Sequence, residues 1–123
     1  MSSQIKNEDY IFITKETVTK RAISCIIQDD KGFIWMGTNG AGLHKYNSFE
    51  YTSYLQQQGN PNTLNSSIVN CSYVDKSNRL WIGTEAGLNL YDRKLDVFHR
   101  IVLRKSLPNQ RIQQINIPGN LIP

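Results

Sequence analysis

A chain of 123 residues is about the size of one domain, and its 39% hydrophobic and 20% charged residues allow a packed core and exclude wholesale disorder. The net charge of +4 is spread along the sequence, with only a loose basic group between residues 93 and 105, so nucleic acid is not expected as a partner. No run approaches the roughly 18 apolar residues of a membrane helix, and the first residues lack the apolar stretch of a signal peptide.

The elements predicted along the chain are short strands about ten residues apart, with no helical period of about 3.6 residues. The first is the aromatic and β-branched segment 10–14. Four strands separated by turns rich in Asp, Asn and Gly follow, at 23–27, 33–38, 43–46 and 49–55. A polar connection at 56–63 ends this group. The same order then restarts, with strands at 68–74, 80–84, 87–91 and 97–101. The sequence therefore predicts an all-β fold.

The two groups of strands are copies of one repeat. The pattern apolar–Trp–apolar–Gly–Thr occurs at 34–38 and again at 80–84, and a Gly-Leu-x-x-Tyr segment follows each copy. The residues common to both copies form a structural repeat core: Trp35, Gly37, Thr38, Gly42, Leu43, Tyr46, Trp81, Gly83, Thr84, Gly87, Leu88 and Tyr91. A period of roughly 45 residues holding four short antiparallel strands is typical of a β-propeller blade.

A blade must have both faces covered, because a four-stranded sheet alone buries too little. Strand alternation places Trp35 on one face and its neighbours Ile34 and Met36 on the other, so both faces are apolar. We expect Trp35 and Trp81 to fill the wedge between adjacent blades. Stacking of either Trp on a sugar would instead require an exposed ring.

The whole of 1–123 is interpreted as a single partial propeller region. Its blade units are about 22–55 and 68–102, and 10–14 and 112–117 are strands of flanking or incomplete blades. Propellers have about four to eight blades. The chain is therefore either a fragment of a larger propeller or a short protein that completes a ring from several copies.

Cys25 and Cys71 occupy the same position of the two repeats. A disulfide needs a Cα separation of roughly 4.4–6.8 Å, and equivalent positions of neighbouring blades are usually farther apart. We favour two half-buried strand cysteines over a disulfide.

Residues with catalytic side chains have structural explanations. His44 and His99 lie on strands without a partner nearby in the sequence, and both are predicted to be solvated. Asp29, Asp30 and Asp75 occupy turns, where a carboxylate caps the local backbone. No catalytic, cofactor-binding or metal-binding residue is predicted, and the Gly-Thr pairs lack the frame of a phosphate-binding loop.

Ligand-binding residues are not defined by any motif. The turns that follow the two Gly-Thr pairs contain Asn39 and Glu85, and loops at the edge of a propeller commonly present ligand contacts. These two residues are the loop candidates for ligand binding.

The segment from Asp29 to Tyr46 resembles the two-component regulator propeller repeat in its Asp-x-x-Gly turn, its Trp-x-Gly-Thr strand and its Gly-Leu-x-x-Tyr continuation. The segment from Asp75 to Tyr91 resembles it again, with Asn78 in place of the turn glycine. The resemblance covers roughly residues 10–117.

The resemblance implies the periplasmic sensor region of a hybrid two-component system. Such regions work as dimers, and many recognise oligosaccharides. The implied partners are an oligosaccharide and either other copies of the chain or the rest of a larger propeller, with a membrane reached only through a missing part of a longer protein. No cofactor is implied. Kinase, receiver and DNA-binding domains are missing from the sequence, so the chain is expected to bind but neither to signal alone nor to act as an enzyme.

A second hypothesis from the same repeat is a structural or assembly module, or a truncated remnant, that completes a propeller by homo-oligomerisation. It follows from the shortage of blades, whereas the sensor hypothesis follows from the family resemblance.

Overall fold

The structure, a computed structural model, describes residues 22–102 and 111–115. The predicted strand at 10–14 lies outside these residues. The described residues form eight strands and no helix, and so none that could cross a membrane. The strands are β1 (Ile23–Gln28), β2 (Ile34–Thr38), β3 (Leu43–Tyr46), β4 (Tyr51–Tyr54), β5 (Val69–Val74), β6 (Leu80–Thr84), β7 (Gly87–Asp92) and β8 (Val97–Ile101).

The strands form two antiparallel sheets, in the orders β1-β2-β3-β4 and β5-β6-β7-β8, which we name blade 1 and blade 2. Their registers correspond: Trp35 is opposite Lys45 in blade 1, and Trp81 is opposite Leu90 in blade 2. The innermost strands β1 and β5 each have a register shift just before the cysteine. The prediction of an all-β fold built from four-stranded antiparallel propeller blades is confirmed, and the two blades do not close a ring.

The Trp35 ring fills the space between the blades. It is 1% exposed, and its centroid lies 4.8 Å from that of Tyr91 in an edge-on arrangement. It also stacks on Tyr54 at 5.8 Å. Truncation of a buried Trp to Ala costs about 3–5 kcal/mol, so this ring is a main source of stability for the pair of blades.

Lys45 crosses the same interface. Its ammonium nitrogen lies 4.7 Å from the centroid of the Phe33 ring and 5.6 Å from that of Trp35, a cation–π arrangement. In blade 2 the equivalent position is Leu90.

The side chains next to Trp35 in β2 point the other way. Ile34 and Met36 pack with Tyr46 in a second cluster on the outer face of blade 1. In blade 2 the equivalent residues Leu80 and Ile82 face blade 1 and belong to the interface cluster. Both faces of a blade are apolar, as strand alternation predicts.

Each Trp is held by the aspartate of the preceding turn. One Asp29 oxygen accepts hydrogen bonds from the backbone N–H groups of Lys31 and Phe33, at 2.9 and 3.0 Å. The other accepts from the Trp35 indole N–H at 2.8 Å. Blade 2 repeats the arrangement, with the Trp81 indole donating to Asp75 at 2.9 Å. The turn-capping role predicted for these carboxylates is correct, and the bond to the Trp is an addition that the sequence analysis missed.

A residue of blade 2 also binds the Asp29 carboxylate. The Arg93 guanidinium donates to it at 3.0 Å and approaches Asp30 at 3.4 Å. Asp29 is buried and Asp30 is exposed, so one ion pair lies inside the interface between the blades and the other at its edge.

Gly37 and Gly83 allow the next segment to approach closely. A Cβ on Gly37 would lie 2.5 Å from Val69 Cγ1, and one on Gly83 would lie 2.6 Å from Ile112 Cγ2. The cysteine sulfur of the same blade would be as close, at 2.6 Å from the Gly37 Cβ and 2.5 Å from the Gly83 Cβ, so each glycine leaves room for the cysteine and for the following segment. A larger residue would force the blades apart.

Two predictions about local structure are wrong. The strand expected from Phe49 begins only at Tyr51, because the Asn47 carboxamide accepts hydrogen bonds from the backbone N–H groups of Phe49 and Glu50 and holds a turn. Phe49 is accordingly 92% exposed. The strand expected from Phe33 begins one residue later, because the Phe33 N–H donates to Asp29.

The prediction that His44 is solvated is also wrong. Its side chain lies on the outer face of blade 1, and the residue is only 4% exposed. It stacks on Tyr51, and the Tyr51 hydroxyl and His44 Nδ1 are within hydrogen-bond distance. Burial lowers the pKa of His44 below its usual value, so the ring is neutral in the folded chain. Blade 2 has the uncharged Asn89 at the equivalent position.

Asp29→Ala is expected to lower the free energy of unfolding by about 2–4 kcal/mol, because the buried Trp35 N–H and the N–H groups of the turn lose their acceptor, whereas Arg93 keeps its contact with Asp30. Asp30→Ala is the matched control, and loss of its exposed ion pair should cost at most about 1 kcal/mol. Urea denaturation followed by Trp fluorescence measures both. Equal losses in the two variants would contradict the assigned roles.

Stability is expected to fall as the pH drops below about 6.5, because the unfolded chain then binds a proton at residue 44 that the folded chain excludes. This contribution is absent above that pH. His44→Asn, which copies blade 2, should remove the dependence between about pH 5 and 6.5. The pKa of Asp75 is lowered, since hydrogen bonds from Trp81 and Arg79 outweigh its burial, so its own contribution is lost only below about pH 3.8. Denaturation midpoints measured across this pH range test the assignment, and an unchanged slope in the variant would refute it.

Candidate functional site

The two loop candidates occupy the same turn of successive blades. Asn39 is exposed, and its backbone N–H donates to the Ala22 carbonyl at 3.0 Å. Glu85 is half-buried, and its carboxylate accepts from the Asn70 side chain at 2.8 Å and pairs with Arg111 at 3.0 Å. Asn39 therefore has a side chain at the surface, whereas Glu85 already has two partners from its own chain.

Residues 111–115 lie against blade 2 as the start of blade 2 lies against blade 1. The Asn70 side chain donates to the Ile112 carbonyl at 3.1 Å, just as the Ser24 hydroxyl donates to the Val69 carbonyl. The Ile112 N–H donates to the Thr84 carbonyl at 2.7 Å. Ile112 thus takes the place relative to blade 2 that Val69 takes relative to blade 1.

The other side chains that could take part in catalysis or bind a metal are dispersed. His99 Nε2 lies 2.9 Å from an Asp92 oxygen across the β7–β8 hairpin, on an exposed surface, so His99 is exposed as predicted but has a local partner that the sequence analysis missed. The described residues hold no group of three or more metal-ligating side chains.

Cys25 and Cys71 are free and half-buried. Burial raises the pKa of the Cys71 thiol, and the neighbouring Cys25 adds to the effect. A thiol with a raised pKa is a poor nucleophile, so Cys71 is suited to packing.

An open cleft of about 270 Å³, which we name the rim cleft, lies at the outer edge of the two blades. Blade 1 contributes Ser53 and Tyr54 from the end of β4, and blade 2 contributes residues 96–98 from the start of β8. The rest of its lining comes from the connection between the blades, through Leu55, Gln57, Asn60, Asn62 and Thr63. The rim cleft is a concave surface at the junction of the two blades.

Asp96 is fixed at the boundary of the rim cleft by two tyrosines. The Tyr54 hydroxyl of blade 1 donates to one carboxylate oxygen at 2.7 Å, and the Tyr91 hydroxyl of blade 2 donates to the same oxygen at 2.6 Å. Burial, with the bond to Asp96, raises the pKa of Tyr91 to about 12 and also raises that of Tyr54, so both hydroxyls remain protonated donors. Asp96 adopts a left-handed φ of 56°, which asparagine and aspartate tolerate better than other residues with a side chain.

The connection that lines the rim cleft is held by its own hydrogen bonds and by the Arg100 guanidinium of β8, which donates to the carbonyls of Asn60 and Thr63. The Asn62 N–H donates to the Asn60 side chain at 3.0 Å, and the Thr63 hydroxyl donates to the Asn60 carbonyl at 2.9 Å. The Phe98 N–H donates to the Asn62 carbonyl at 2.9 Å and joins the segment to β8. Four carboxamides and a threonine lie within residues 57–63, but nothing in the sequence places this segment beside Asp96.

A model of the two component regulator propeller family matches residues 18–40 and 63–86. The described part of each match contains the first strand, the aspartate turn and the Trp strand of one blade. The two matched segments therefore coincide with equivalent halves of blades 1 and 2.

The relatives are proteins of signal transduction. Histidine kinase P4 of Formosa agariphila is 33% identical over 66 residues, which is 51% of this chain and 5% of that protein. Two solved structures from B. thetaiotaomicron are extracellular domains of proteins assigned as hybrid two component systems, BT3049 and BT4673. Both have TM-scores of 0.58, with identities of 28% and 25%, and they cover 70% and 72% of this chain.

The chain spans only 12% of each of those extracellular domains and 5% of the kinase. The repeat, the fold of each blade and the relatives nevertheless agree. Residues 22–102 form two propeller blades that are similar in repeat and in fold to the two component regulator propeller family.

Proposed function

We propose that this chain is a ligand-sensing propeller module of a hybrid two-component sensor that recognises an oligosaccharide and has no catalytic activity. The observation that carries the proposal is the likeness of the two-blade unit to extracellular domains of proteins assigned as hybrid two component systems, over 70% and 72% of the chain. A periplasmic location follows from the same likeness.

The bonding of the acidic side chains supports a binding role over catalysis. Asp29 and Asp75 are tied to their turns and to the Trp indoles. His44 is buried, and burial lowers its pKa. Asp29, Asp75 and His44 therefore serve the fold, and a hydrolase or lyase would need a pair of positioned acid and base groups other than these.

The proposed partners are an oligosaccharide on the outer side and the kinase portion of a longer protein across the membrane. Neither nucleic acid nor a cofactor is proposed. Hydroxyl and carboxamide side chains line the rim cleft together with the apolar Leu55, Val97 and Phe98, and such a mixed surface suits the hydroxyls and the C–H faces of a sugar.

A second proposal concerns assembly, and the contacts of Ile112 favour it. Because Ile112 meets Gly83 as Val69 meets Gly37, the outer face of blade 2 is suited to a further blade whose innermost strand includes residues 112–117. Residues 116 and 117 lie outside the described part. The further strands would come from other copies of this chain or from the rest of a larger propeller.

Titration calorimetry with oligosaccharides from digested plant and algal polysaccharides tests the sensing role. At least one neutral oligosaccharide is expected to bind the folded 123-residue chain with a micromolar Kd, and the heat-unfolded chain should give no signal. Absence of binding to every oligosaccharide in the panel would overturn the proposal.

Light scattering tests the assembly role. A discrete trimer or tetramer is expected if copies of the chain complete the ring. A monomer that keeps its β-sheet circular dichroism would assign the further blades to a longer protein and contradict homo-oligomerisation.

A further inference from the structure

We propose that the rim cleft is a subsite for one uncharged sugar ring and that the ring bridges the two blades when bound. The inference rests on the proposed role as a saccharide sensor and adds the location and charge of the ligand.

The size of the cleft limits the ligand. Its volume of about 270 Å³ lies just below the roughly 300–1,000 Å³ of sites that enclose drug-sized molecules. A single ring unit is therefore the largest group that it can surround. Because the cleft is open to solvent, the remainder of an oligosaccharide can extend outward from the rim.

The chemistry of the lining selects the ligand class. Carboxamides of Gln57 and Asn62 and the hydroxyl of Ser53 can each donate and accept hydrogen bonds, as sugar hydroxyls do. Among the described lining residues the only charge is the carboxylate of Asp96. A phosphate or a uronate would meet this negative charge, whereas the Arg100 guanidinium is outside the lining and already donates to the carbonyls of Asn60 and Thr63.

The cleft is already organised to receive a ligand. The bonds among Asn60, Asn62 and Thr63 fix the connection, and the Phe98 N–H fixes it to β8. The two tyrosine hydroxyls fix Asp96. Groups held in place before binding lose little conformational entropy when the ligand arrives, which favours affinity.

A ligand in this position contacts both blades. Ser53 belongs to the end strand of blade 1, whereas Asp96 and Val97 belong to the hairpin of blade 2. An occupant bound to both sides stabilises the blades in their present arrangement by mass action. The amide proton of Phe98, which donates across the cleft floor to Asn62, should then exchange with solvent more slowly.

Amide-resolved NMR of the 123-residue chain tests the inference, with glucose, galactose, mannose, xylose and the oligosaccharide found by calorimetry as probes. Chemical-shift changes are expected at Asn62, Thr63, Val97 and Phe98. Asn62→Ala should weaken binding about fivefold, the equivalent of one neutral hydrogen bond. Gln58→Ala is the matched control, because Gln58 is exposed in the same segment and does not line the cleft.

Charge gives a second readout. Galacturonate should bind more weakly than galactose, and Asp96→Asn should reduce the difference between them. Saccharide binding with shift changes confined to other surfaces, such as the turns of Asn39 and Glu85, would overturn the cleft assignment and leave the sensing role intact. Equal weakening by Asn62→Ala and Gln58→Ala would also overturn it. Failure of every saccharide to bind would refute the sensing role itself.

Discussion

The packing of the Trp35 ring between the two sheets is the contact on which the rest of the structure depends. A four-stranded sheet buries too little apolar surface to be stable alone, so each blade needs the other. The Asp29 carboxylate holds the indole, and Arg93 of the second blade holds the carboxylate. The Asp29 side chain thus closes a turn, orients the Trp35 ring and binds the neighbouring sheet. The bond between turn and Trp recurs at Asp75 and Trp81, which makes it part of the repeat.

The fold could be predicted because the repeat encodes it locally. Trp-x-Gly-Thr at a fixed spacing specifies the strand, its alternation and the close approach at Gly37, and each of these depends on neighbours in sequence. His44 could not be predicted, because its burial depends on which face of blade 1 it occupies and on Tyr51 of the adjacent strand. The strand start at Phe49 is mispredicted for a related reason, because the Asn47 carboxamide fixes a turn there and overrides the β propensity of Phe49. Side chains whose environment comes from another strand are those that single-sequence reasoning misplaces.

The candidate site was even less predictable. The polar composition of the connection at 56–63 predicts only a loop between the two units. Its hydrogen bonds to itself and to Phe98 make it an ordered wall beside Asp96, some forty residues away along the chain. By contrast, the turn carboxylates of Asp29 and Asp75 accept hydrogen bonds from the two tryptophans. The polar groups that the rim cleft offers at the junction of the blades are neutral apart from the Asp96 carboxylate.

The different residues at equivalent places of the two blades have a consequence for folding. Lys45 extends over the aromatic rings between blades 1 and 2, and the matching position of the second blade is the aliphatic Leu90. Tandem repeats that remain identical can exchange partners during folding and trap the chain in a wrong order. A cationic side chain at one junction and a hydrocarbon side chain at the next make the junctions chemically distinct. Divergence between duplicated units therefore favours packing of each sheet against its correct neighbour during folding.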